Sequence, residues 1–252
     1  MSDELTAAEA GAADRDPDAE IPLLFLCPAD AVKSRVVLDW FLTASGCLDR
    51  NYRPGVVLDG AEGRAAETAR AAGLPRRIAT DPSDPLSAVE GVATELGGCD
   101  YLVSCGWGHW LPETVIETAD TALNCHGSYL PDYRGPSPHR VQWANGKRHG
   151  GATVHRLTES FDDGAILARE RFAIGPRDTP LDILRRASEL TAVLLAEALL
   201  LDAAGNQGTE NEGGRYFSLA DWPTVLFHGV PNRVLWLLGS DYRWEIPAEP
   251  RD

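Results

Sequence analysis

Ile21-Pro-Leu-Leu-Phe-Leu-Cys27, then Pro28-Ala-Asp30 and the stretch 31–42, decide the fold. The first seven residues are a nearly unbroken apolar run, which marks a strand buried on both faces. Pro28 and Asp30 punctuate it. Val32, Val36, Val37 and Phe41 then recur at helical spacing, so a helix follows. The alternation continues downstream. Residues 55–58 read as a second strand and 61–72 as a helix stopped by Gly73. Residues 77–80 read as a third strand and 86–96 as a helix ended by Gly97-Gly98. Residues 101–105, a turn at Gly106-Trp-Gly108, a short helix over 112–119 and a strand over 121–126 complete the series. Such alternation predicts an α/β fold, Rossmann-like, with a mostly parallel sheet covered by helices on both faces. Ligands on such sheets sit beyond the carboxyl ends of the strands, so the loops after Cys27, Cys105 and His126 are the expected site.

Beyond His126 the pattern changes. Residues 152–157 and 166–173 read as two further strands around a Gly-containing loop, and 179–204 as a long amphipathic helix stopped by Gly205. A polar linker covers 206–214, and 216–244 carries Trp222, Trp236 and Trp244, an aromatic set suited to packing or a dimer surface. Three segments result: an acidic, disordered tail over 1–20, a catalytic domain over 21–205, and a short C-terminal extension over 206–252.

The chain has 252 residues, with 23 Lys and Arg against 38 Asp and Glu, a formal charge of −15. A polyanion needs a basic footprint, so neither nucleic acid nor an anionic membrane surface is expected as a partner. Only Lys33 and Lys147 are lysines. This bias fits a protein adapted to high salt and equally a GC-rich coding sequence. The five cysteines form no C-x-x-C pair and read as reduced, buried small hydrophobes, with no metal site. No signal peptide or membrane-length apolar run is visible, which predicts a cytoplasmic protein.

The chemistry concentrates in Asn124-Cys-His-Gly-Ser-Tyr-Leu-Pro-Asp-Tyr-Arg-Gly135. Asn124 and His126 are two apart on a strand and share one face, where that strand enters a loop. An amide donor beside a base suits a carbonyl that becomes a tetrahedral oxyanion while the attacking group loses a proton. No Ser-His or Cys-His nucleophile is set up, so direct transfer is more natural than a covalent intermediate. Asp162, in Glu159-Ser-Phe-Asp-Asp-Gly164, is the candidate to orient the histidine. His139 and His155 read as structural or rim residues, and Lys33 and Arg35 as solvated helix residues.

The stretch from about 100 to 179 resembles the formyltransferase superfamily that uses 10-formyltetrahydrofolate. The resemblance rests on Asn124-Cys-His126, Ser128-Tyr-Leu-Pro131 with Arg134-Gly135, Asn145-Gly146, Gly151-Ala-Thr-Val-His155 and Asp162-Asp-Gly164, in order and at fitting spacing. It implies that Asn124 polarises the formyl oxygen and holds the oxyanion, that His126 takes the proton from the amine or stabilises the oxyanion once charged, and that Asp162 orients and tunes His126. It implies a folate pocket between the 106–112 turn and the 159–164 loop, with His109, Trp110, Leu111, Asp163 and Gly164 binding the co-substrate, and Tyr129 and Arg134 the acceptor. Two departures stand out. Gly127 replaces the proline usual after the catalytic histidine. The loop after the first strand, Cys27-Pro-Ala-Asp-Ala-Val-Lys-Ser-Arg35, lacks the Gly-rich phosphate loop of relatives acting on glycinamide ribonucleotide.

About 48 residues follow the long helix, short for the barrel-like domain with which methionyl-tRNA formyltransferases grip tRNA. The resemblance is therefore nearest to sugar N-formyltransferases, and the expected acceptor is the primary amine of a nucleotide-linked amino sugar, handled by a homodimer. The competing readings are a methionyl-tRNA or glycinamide ribonucleotide formyltransferase, a hydrolase of 10-formyltetrahydrofolate, and a non-catalytic scaffold.

Overall fold

The computed structural model describes residues 19–48 and 50–249, so the tail over 1–18 lies outside the described residues. Strand β1 (Ile21–Cys27) opens the fold. Leu23, Phe25 and Cys27 pack on one face of the sheet, Leu24 and Leu26 on the other. Covering on both sides is why the run carries no charged or hydrogen-bonding side chains. The chain continues through α1 (Val32–Ala44), β2 (Tyr52–Leu58), α2 (Arg64–Ala71), β3 (Arg76–Ile78), α3 (Leu86–Leu96), β4 (Tyr101–Ser104), α4 (Glu113–Ile116) and β5 (Thr121–His126). It then runs through α5 (Pro138–Ala144), β6 (His149–Arg156), β7 (Ile166–Ala173), α6 (Pro180–Ala203) and α7 (Trp222–Leu237).

The sheet has the order β3-β2-β1-β4-β5-β6-β7. Its first five strands are parallel, and β6 and β7 add to it antiparallel. Side chains of α1 and α6 cover one face, among them Val37, Phe41, Leu195 and Leu199. Val89, Val92 and Leu96 of α3 cover the other. The strand order reverses direction between β1 and β4, the crevice where such sheets bind ligands. Helix α6 starts on a capping box, in which the Thr179 side chain accepts from the Asp182 N–H and Asp182 accepts from the Thr179 N–H.

Bounds of α3, β5 and β7 fall where the sequence places them. The helix expected over 112–119 is a single turn. Helices α5 and α7 have no counterpart in the sequence reading. Both depend on a third cluster, in which Tyr133, Val141, Trp143, Ile183, Phe217 and Val225 pack together. A seven-residue helix is held by such burial, not by propensity.

Helix α7 seats Val225, His228, Gly229, Asn232 and Arg233 inward. A Cβ on Gly229 would lie 1.9 Å from a ring carbon of Trp143, so glycine alone fits this crossing. Gly229→Ala is expected to destabilise the protein by about 1–3 kcal/mol through overpacking, read by denaturant unfolding. An unchanged midpoint would show that α7 does not seat on α5 as described.

Candidate active site

Parallel register carries the ends of three strands to one edge: Leu26 lies beside Ser104, and Ser104 beside Asn124. A cavity of about 370 Å³ opens there. Its walls come from the turn 106–111, from Asn124, Cys125 and His126, from 135–138, and from the loop 157–162. The three loops singled out in the sequence thus surround one space, with Lys33 on α1 as the contribution from beyond β1.

Asn124, His126 and Asp162 come together there. His126 Nδ1 lies 3.1 Å from Asp162 Oδ1, and the Asn124 amide donates to the same oxygen at 3.1 Å. The Gly135 N–H donates to Asp162 Oδ2 at 2.8 Å. His126 Nε2 lies 2.9 Å from the Tyr133 carbonyl. Asp162 is 8% exposed and sits at φ +50°, a left-handed conformation that aspartate tolerates and that turns its carboxylate inward. Burial pushes the Asp162 carboxyl up, but His126 and His155 beside it outweigh that and hold it well below the usual carboxylate range.

His155 is the member that sequence reasoning missed. It is buried, and its Nε2 lies 3.1 Å from Asn124 Nδ2 and 3.5 Å from Asp162 Oδ1. Its Nδ1 sits 2.8 Å from the Arg156 carbonyl, so a ring proton there is donated to that oxygen. The cause is antiparallel register: Asn124 is paired with His155, and His126 with Thr153. The Gly-x-Thr-x-His pattern held the signal, since Thr153 and His155 share a face at period two. Thr153 accepts from the Leu130 N–H at 3.0 Å and donates to the Ser128 carbonyl at 2.7 Å, pinning the loop beyond His126.

The residues expected to bind co-substrate divide. His109, Trp110 and Leu111 line the cavity. The Trp110 indole N–H donates to the Glu159 carbonyl at 2.8 Å and ties the two expected walls together. Asp163 and Gly164 are not among the lining residues. Asp163 instead pairs with Arg134, and the Gly164 carbonyl accepts from Asn211 at 3.0 Å. Arg134, expected to meet the acceptor, is buried and also donates to the Asn211 carbonyl. Through its two Nη groups it braces the 162–164 turn, while its Nε has no partner among the described residues. Tyr129 faces a separate hollow, with the Arg169 and Arg171 guanidinia 4.6 and 4.1 Å from its ring centre. Asn211, read as linker, is buried and donates to the Asp162 carbonyl at 2.9 Å.

The depressed Asp162 carboxyl ties stability to pH. A carboxyl ionises more readily folded than unfolded when its folded pKa is lowered, so its stabilisation is present above the unfolded value of about 3.9 and is lost as pH falls through the folded value. Denaturant unfolding between about pH 5 and 2 is expected to fall more steeply for the natural chain than for Asp162→Asn. Parallel profiles would show that Asp162 is not held ionised by its neighbours.

The chain is similar to known proteins in sequence and in fold. A methionyl-tRNA formyltransferase of Synechococcus sp. (strain JA-2-3B'a(2-13)) is 39% identical over 129 residues, 50% of this chain and 38% of that protein. The chain spans roughly two fifths of the length of such curated relatives. Among solved structures, glycinamide ribonucleotide transformylase 1 of Symbiobacterium toebii superposes with a TM-score of 0.65 at 22% identity, over 77% of this chain and 95% of that one. A sugar N-formyltransferase of Shewanella sp. FDAARGOS_354 superposes at 0.62 with 18% identity, over 92% of this chain and 99% of that one. The formyl transferase family model matches residues 67–199, just over half the sequence. The chain therefore belongs to the formyl transferase family.

Proposed function

We propose that the protein transfers a formyl group from 10-formyltetrahydrofolate to the primary amine of a small acceptor, in the nearest case a nucleotide-linked amino sugar. The observation that carries this is the convergence of Asn124, His126 and Asp162 at the edge of one cavity. Trp110, Leu111, Leu157 and Phe161 give that cavity a flat apolar lining suited to a pterin ring. Attack by the amine nitrogen forms the new C–N bond and puts a negative charge on the formyl oxygen. Asn124 gives that oxygen an amide N–H in exchange for its contact with His155. Neutral His126, keeping its Nδ1 proton directed at Asp162 and turning Nε2 away from the Tyr133 carbonyl, takes the proton from the attacking nitrogen; Asp162 steadies the resulting imidazolium, and the proton passes to the departing folate nitrogen as the old C–N bond breaks. No covalent enzyme intermediate is needed.

The relatives named for methionyl-tRNA act on a polyanion, and a chain of charge −15 with two lysines offers little to hold one. A cytoplasmic setting agrees with five free thiols. A second copy is the expected partner. Leu226, Phe227, Val230, Val234 and Leu237 of α7 are each about half exposed or more, spaced by about one turn in a single outward stripe. A stripe of that spacing suits pairing with its own copy across a two-fold axis.

The test of activity incubates the protein with 10-formyltetrahydrofolate and a panel of nucleotide-linked amino sugars, reading by mass for one added formyl group. Asp162→Asn is expected to lower turnover by about 10²–10⁴-fold. Turnover at the natural rate in that variant, or release of formate with no formylated amine, would overturn the assignment. Sedimentation at several salt concentrations is expected to show a dimer that tightens as salt screens the negative surface. A monomer throughout at micromolar protein would remove the partner.

A further inference from the structure

Lys33 is the one fixed cation among the residues lining the cavity. It stands in the first turn of α1, and its Nζ reaches across to donate at 2.9 Å to the carbonyl of Cys125, the residue between Asn124 and His126. Gly127 bounds the same spot: a Cβ there would lie 3.7 Å from Nζ. Gly127, which stands where the family has proline, and Lys33, from the segment that lacks the Gly-rich loop, therefore meet in space although they are far apart in sequence.

An ammonium has three N–H donors, and among the described residues one acceptor, the Cys125 carbonyl, takes one of them. Among the described residues no carboxylate pairs with it. Asp162, the nearest buried acid, has both oxygens committed, to His126, Asn124 and the Gly135 N–H. The other groups facing Lys33 are the thiols of Cys105 and Cys125 and the ring of His139 on α5. Burial, with Lys33 and Arg140 alongside, pushes His139 down to about 3, so it adds no charge. Glu159 lines the cavity from an exposed position on the opposite loop. Lys33 is half-buried, and a cation partly enclosed without a counter-charge is costly; the cost is removed when a bound group brings the opposite charge.

We propose that Lys33 is a specificity residue: its two free N–H groups receive an anionic group, phosphate or carboxylate, carried by the acceptor amine, and so select acceptors that bear one. This rests on reading the cavity as the acceptor's site. It replaces the sequence expectation that Lys33 is a solvated helix residue. The enclosed amine is itself pushed below its ordinary value by burial, partly offset by the thiols of Cys125 and Cys105 and by Asp162, and a bound anion would restore its charge.

Two lysines in the whole chain make the test direct. Full-length protein carrying lysine labelled with ¹³C at the ε position gives two side-chain signals. Lys33→Met assigns them, and Lys147→Arg does so by elimination if the first variant does not fold. Inorganic phosphate and acetate are titrated separately at constant ionic strength. The Lys33 signal is expected to move saturably with one of them while Lys147 stays still. Phosphate would indicate a phosphorylated acceptor and acetate an amino carboxylate. No movement with either anion, or equal movement of both lysines, overturns the proposal. The readout needs no formyl transfer, so its failure is separable from failure of the proposed activity. With an acceptor in hand, Lys33→Met is expected to raise the acceptor KM at least about tenfold, while kcat and the KM for the folate hold. A fall in kcat alone would place Lys33 in the chemical step and overturn the specificity role.

Discussion

One buried carboxylate organises the site. Asp162 is removed from water yet kept charged, and a buried charge is tolerated only when partners surround it. It receives an imidazole from the end of β5, an amide from the same strand and a backbone N–H from Gly135. Two partners come from β5 and one from the loop beyond it, so the carboxylate couples the sheet edge, the loop after β5 and the loop between β6 and β7. Losing any one would leave polar groups unsatisfied in a dry place.

The surrounding shell reads as support for that coupling. Asn211 donates from its side chain to the carbonyls of Asp162 and Gly164, and Arg134 closes the clamp by pairing with Asp163 and the Asn211 carbonyl. Gly135 sits at φ +100°, and a Cβ there would lie 2.2 Å from the Phe217 carbonyl. Only glycine lets Arg134 and residues 215–217 exchange backbone hydrogen bonds at that distance. The chain after α6 is therefore part of the site and not an appendage. It supplies Asn211 to the clamp and Tyr216 to the cavity wall.

The sheet topology explains how an acidic protein can present a positive point to a ligand. Parallel strands deliver β1, β4 and β5 to one edge, and α1 leaves that edge with Lys33 in its first turn. Inside the crevice the Lys33 ammonium is weakly screened, and Asp162, the buried acid of the same cavity, is committed to His126, Asn124 and Gly135. Net charge governs solubility and the approach of large polyanions; local geometry governs which small molecule is held.

The sequence by itself determined the layered architecture, because an apolar run buried on both faces and apolar residues at helical spacing are local patterns of the chain. It likewise singled out Asn124, His126 and Asp162, whose order and spacing survive as a motif. Register and enclosure were left to the tertiary structure. His155 became a partner of Asn124 only when β6 paired antiparallel with β5, and no local pattern encodes that pairing. Asn211 looked like linker because its neighbours are polar, yet the turn it clamps lies more than 40 residues away in sequence. Lys33 looked solvated because position on a helix does not reveal what stands opposite. Its half-buried place follows from its reach to the Cys125 carbonyl at the end of β5, a long-range contact that only the folded chain creates.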